Sequence, residues 1–129
     1  MGIAESLDDL RRENPGCSLV AFGDLRTHLV LRTSSETPCA QEHLDRICTL
    51  AAQTFSSCDL IHKAGDTPET GGTAAVVLTA NETTVFVRSD TDKSDFICCV
   101  CAPNDRTDTI APMAAKALCE ISQDQKCNP

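Results

Sequence analysis

The stretch that most restricts the fold is "DFICCVCAP" at residues 95–103, because it is apolar at every central position. Side chains alternate across a strand. Phe96, Cys98 and Val100 therefore take one face, and Ile97, Cys99 and Cys101 take the other. "CSLVAFG" (17–23) and "TAAVVLTA" (73–80) behave in the same way. Strands that are apolar on both faces must be covered on both faces. The chain therefore needs a sheet with helices above and below it.

The helices are legible from their periodicity. "AESLDDLRRE" (4–13) has Leu7 and Leu10 on one face and acids toward its start, where the helix dipole favours them. "NPG" at 14–16 ends it. "TPCAQEHLDRICTLAAQTFSS" (37–57) carries a stripe of Leu44, Ile47, Cys48, Ala51 and Phe55. Thr37 is its expected cap and Pro38 its first helical residue. "CDLIHKAGDTPETGG" (58–72) is expected to be one long polar loop. A last helix over 108–122 has a stripe of Ile110, Met113, Ala114, Ala117, Leu118 and Ile121. Pro112 fits it only within the first turn.

Two hairpins complete the outline. "DLRT" (24–27) joins "CSLVAFG" to "HLVLRTS" (28–34), and Asn81-Glu82 joins "TAAVVLTA" to "TTVFVRS" (83–89). "DTDK" (90–93) leads into the fifth strand, set at 94–102. The order is α-β-β-α-β-β-β-α. The expected class is α/β (α+β), with a five-stranded, mostly antiparallel sheet between helices. A chain of 129 residues suggests one domain over 1–129, with a core at about 4–122 and a frayed tail at 123–129.

A formal net charge of -8 without any basic cluster makes nucleic acid and anionic membrane surfaces poor partners. The opening "MGIAESLDDL" lacks the basic and apolar regions of a signal peptide, although Met-Gly-x-x-x-Ser fits the short myristoylation pattern. The expected location is cytoplasmic, where the nine cysteines would be free thiols.

The order and local sequence resemble the roadblock family, named for a dynein light chain. The carriers are "LDDLRRENPGCSLVAFGDLRTHLVLRTS", "EHLDRICTLAAQTF", "TTVFVRS", "FICCVCAP" and the stripe from Ile110 to Ile121. The resemblance covers about residues 4–122. It implies a dimer that regulates or anchors a small Ras-like GTPase, as bacterial polarity regulators of this family do, with no catalytic residues and no cofactor. Two features depart from the family pattern. The first hairpin has "GDLRTH" where an Asp-Gly turn is usual, and the loop at 58–72 is long and polar.

The chemistry-bearing residues point to packing rather than catalysis. Cys98 and Cys99 point to opposite faces, no Cys-x-x-Cys loop exists, and free cysteine packs as a small hydrophobe. His28, His43 and His62 are expected in solvent, and Asp95 at a strand end or on the surface. "GDTPETGG" lacks the Lys-Ser/Thr of a phosphate loop. No catalytic or metal-ligating residue is expected. The alternative to an adaptor is a small-molecule sensor, which would need a cavity with convergent polar groups.

The expected contact surface combines two elements. On the second helix, Leu50 falls off the core stripe, and Thr49, Ala52 and Ser56 form a small-residue flank. On the third strand, Ala75 and Val77 lie in an uncharged run expected at a sheet edge, where another chain can pair. In roadblock dimers such strands join and the second helices lie side by side, so the resemblance implies a homodimer through these same six residues.

Overall fold

The computed structural model describes residues 2–36, 38–64, 73–89, 95–103 and 107–127. Thr37 and the stretches 65–72 and 90–94 lie outside the described residues, as do the side chains of Cys58, His62 and Cys127. The elements run α1 (Ile3–Glu13), β1 (Cys17–Asp24), β2 (Leu29–Ser35), α2 (Gln41–Ala64), β3 (Thr73–Leu78), β4 (Thr83–Arg88), β5 (Asp95–Cys101) and α3 (Thr107–Cys127). The five strands form one sheet in the order β2-β1-β5-β4-β3, and every pairing is antiparallel. β5 lies at the centre and is buried along its whole length, as its two apolar faces require.

Each face of the sheet carries its own core. On one side, Val20, Phe22, Val85, Val87, Ile97, Cys99 and Cys101 meet Leu7 and Leu10 of α1 and Ile110, Ala114, Leu118 and Ile121 of α3. On the other, Leu19, Ala21, Phe86, Phe96, Cys98 and Val100 meet Ile47, Cys48, Ala51 and Phe55 of α2. Phe55 stands edge-on to Phe86 and Phe96, with ring centroids 6.2 and 6.5 Å away. The Arg88 guanidinium stacks 5.0 Å from the Phe55 centroid.

The joints show how the elements end. After α1, the buried Asn14 amide donates to the Leu10 carbonyl at 2.8 Å and satisfies one of the helix's orphan acceptors. The first hairpin turns over Leu25–His28, with His28 at φ 61 in the left-handed region that Asp-Gly turns usually fill. A register shift between Phe22 and Gly23 bends β1 there. Gly23 is required by close approach: a Cβ would lie 2.7 Å from the Phe96 ring and 2.9 Å from the Leu29 carbonyl oxygen.

Several expectations need correction. The helix expected at 37–57 starts later and ends later, at Gln41–Ala64, so Pro38 precedes it rather than opening it. "CDLIHKA" holds no residue that stops a helix, and the breaking signals begin only at Gly65. The second hairpin turns on Ala80-Asn81 instead of Asn81-Glu82. The Thr79 hydroxyl accepts from the Glu82 N–H at 3.1 Å and donates to the Glu82 carbonyl at 3.0 Å, which ties those two residues across the turn. Pro112 is the sixth residue of α3, beyond its first turn, and the helix backbone continues to Cys127 past the expected end. Of the two places expected for Asp95, the strand end holds and the surface does not: it opens β5 opposite Asp24, is buried, and its carbonyl accepts from the Ser89 N–H at 3.0 Å.

Candidate contact surface

The expected contact residues lie on β3, at the outer margin of the sheet, and on α2, which covers one face of it. β3 pairs with β4 along one side, from Thr73 opposite Arg88 to Leu78 opposite Thr83, and ends the sheet on its other side. Its backbone groups on that side form an unextended ladder. Ala75 and Val77 are half-buried, and Val77 packs against the core under α2. On α2, Ile47, Cys48, Ala51 and Phe55 face the sheet as the stripe predicts. Leu50 packs at the margin of that same core and Ala52 is half-buried, while Thr49 and Ser56 are exposed.

Thr49 is engaged within the chain. Its hydroxyl donates to the Asp45 carbonyl at 3.1 Å and lies 3.2 Å from Nε2 of His28, so the first hairpin leans on α2 at this point. The six residues are thus split. Ala75 and Val77 mark the β3 margin, and Thr49 marks the side of α2 that meets the hairpin.

Sequence reasoning missed the most exposed apolar residues of the strand. Val76 is 43% exposed and Leu78 is 73% exposed, and both lie on the face opposite Ala75 and Val77. That face belongs to α1 and α3, which leave its outer edge uncovered. Alternation separates the two sets, but it does not say which set a helix will cover.

Burial, and after it the Asp45 carboxylate, pushes the Cys48 thiol up, so it stays neutral within the helix stripe. Two grooves open elsewhere. One of about 250 Å³ between α1 and α3 is lined by Asp9, Glu13, Lys116 and Glu120. One of about 310 Å³ at the start of α2 is lined by Cys39, His43, Glu82 and Ser18. A thiol, an imidazole and a carboxylate in one groove invite a nucleophile reading. Burial raises the Cys39 pKa, however, which is opposite to the activation that a thiol nucleophile needs. Among the described residues, no group of three or more His, Cys, Asp or Glu is placed to hold a metal ion. No helix of the described residues is long and apolar enough to cross a membrane.

At the level of sequence, no family model matches the chain and no curated protein matches it. Solved structures do match. A Roadblock/LC7 domain from Streptomyces avermitilis superposes with a TM-score of 0.74 at 12% identity, over 98% of this chain and 99% of that one. MglB of Myxococcus xanthus superposes with a TM-score of 0.73 at 11% identity, over 97% and 95%. The gliding protein MglB of Thermus thermophilus gives 0.71 at 17% identity, over 95% and 89%. The superpositions and the near-complete mutual coverage agree, and this chain has the fold of the Roadblock/LC7 domain.

Proposed function

We propose that this protein is a dimeric adaptor that works by binding a small Ras-like GTPase or a complex built on one. The observation that carries this reading is the β3 margin. It is a regular, uncharged edge strand with two exposed aliphatic side chains, on a fold shared with MglB. Two copies meeting edge to edge through β3 would extend the antiparallel ladder and cover Val76 and Leu78 at once. The α2 helices, with their small residues Ala52 and Ser56, would come to lie near each other across that junction. One MglB structure is described as having a tetrameric arrangement, so self-association within this fold has a precedent.

Regulation then requires a difference in affinity. An adaptor that bound both nucleotide states of a GTPase equally would shift neither. The dimer is tested by size-exclusion chromatography with light scattering, where twice the chain mass is expected. A strict monomer at high concentration would refute it. The partner is tested by calorimetric titration with a Ras-like GTPase from the same genome, loaded with GDP or with a non-hydrolysable GTP analogue. Unequal affinity for the two forms is expected.

The sensor reading finds less support. Against the roughly 300–1,000 Å³ of ligand sites, the groove of about 250 Å³ falls short and is lined by charged residues, and the groove of about 310 Å³ stands at the bottom of the range.

A further inference from the structure

The β1–β5 ladder assembles a buried thiol cluster that no single strand discloses. Cys17 opens β1, Cys101 closes β5, and the antiparallel ladder pairs them across a register shift between Cys17 and Leu19. Cys99 shares that face, and all three belong to the core beneath α1 and α3. Cys17 and Cys101 are each only 2% exposed. The Cys17 thiol donates to the Leu19 carbonyl at 3.3 Å, and Cys99 and Cys101 share its core. In a regular antiparallel ladder, opposed Cα atoms lie about 4.5–5.5 Å apart and a disulfide spans roughly 4.4–6.8 Å, so cross-strand partners need only a small adjustment to be bridged.

The protons in the cluster are unevenly held. The Cys101 thiol, then that of Cys99, pulls the Cys17 pKa below the ordinary thiol value, although burial opposes it. Cys99 is pushed well above that value by its neighbour Cys17 and by burial. The lowered Cys17 is the attacking thiol, and Cys101, its partner across the ladder, is placed to resolve it. Cys98 and Cys48 lie in the opposite core and take no part.

We propose that Cys17 and Cys101 form a redox modification site, closed to a disulfide by a small hydroperoxide and locking the start of β1 to the end of β5. The Cys17 thiolate attacks the terminal peroxide oxygen. The O–O bond breaks, the alcohol leaves with a proton, and Cys17 becomes a sulfenic acid. The Cys101 sulfur then attacks the Cys17 sulfur, the S–O bond breaks, and the hydroxyl leaves as water with the Cys101 proton. Two thiols and one hydroperoxide give one disulfide, one alcohol and one water. The reagent reaches the site through the end of the ladder. There Ala102 is exposed, and its N–H donates to the Gly16 carbonyl at 3.0 Å just beyond the pair.

The test treats the full chain with hydrogen peroxide under native conditions, blocks the remaining thiols by alkylation, and maps the peptides by mass. The expected product joins the Cys17 and Cys101 peptides, is two hydrogens lighter than the reduced pair, and disappears on reduction. Cys98→Ala should leave the link intact, and Cys17→Ala should abolish it. The oxidised protein should also melt at a higher temperature than the reduced one, because the bond closes a long loop of the unfolded chain. The proposal is overturned if Cys39 and Cys119 oxidise while no Cys17–Cys101 link forms, or if the link forms only in denaturant. Because the wild-type map decides the point, a variant that fails to fold does not shield the proposal.

Discussion

The two outer strands of the sheet face the same problem and solve it differently. β2 and β3 each end the sheet, and each carries two exposed aliphatic residues: Leu29 and Leu31 at 51% and 49% on β2, Val76 and Leu78 at 43% and 73% on β3. β2 is defended. Its pairing with β1 is interrupted by a bulge, Arg32 is exposed in its middle, and Arg26 stands exposed in the adjoining turn. It is also tied to α1: Arg11 Nε donates to the Ser34 hydroxyl at 2.8 Å, and that hydroxyl donates to Asp8 Oδ1 at 2.5 Å. β3 pairs with β4 in unbroken register and has no charged residue from Thr73 to Leu78. Bulges and charges are what natural edge strands use against unwanted pairing. Their presence on one edge and absence from the other is the reason the proposed junction is placed on β3.

The largest expected effect follows directly. Leu78→Asp would bury an unpaired charge at the proposed junction, a cost of about 3–5 kcal/mol. Light scattering should report loss of the dimer, while the matching Leu31→Asp on β2 leaves assembly unchanged. Leu78 is mostly exposed in the single chain, so the variant should keep its fold by circular dichroism. Equal effects from the two variants would erase the distinction between the edges.

A smaller effect probes why β2 sits where it does. Gly23→Ala would press a methyl group against the Phe96 ring and the Leu29 backbone. Overpacking of this kind costs about 1–3 kcal/mol, readable as a lower urea midpoint with an unchanged slope. The smallest effect concerns the tether. Ser34→Ala removes the hydroxyl between Asp8 and Arg11, which should cost about 1 kcal/mol. It should also raise amide hydrogen exchange selectively along β2. Exchange that rises equally on β3 would show that the tether does not distinguish the edges.

Legibility in the sequence followed the range of the interaction concerned. The stripe Leu44, Ile47, Cys48, Ala51, Phe55 and the alternation through Phe96–Cys101 depend on periods of a few residues, and both were read with the right faces. The end of α2 was misplaced because residues 58–64 are merely compatible with a helix, and compatibility alone sets no boundary. The turn at Ala80-Asn81 depends on one hydroxyl, that of Thr79. For the contact surface, Ala75 and Val77 were found at the margin. Val76 and Leu78 were not singled out, because their exposure depends on how far α1 and α3 reach across the sheet.

Cys17 shows the same limit most sharply. The sequence presents Cys98, Cys99 and Cys101 together, yet Cys99 and Cys101 share their core with a cysteine from the first strand, and Cys98 lies in the other core. Local periodicity alone determined the five strands, three helices and two-sided core of the described residues, because each element must bury its own apolar face. The tertiary structure alone decided which residues meet across strands and which apolar residues stay open. Register and helix reach are set by all the elements packing at once, and no short window of sequence contains that information.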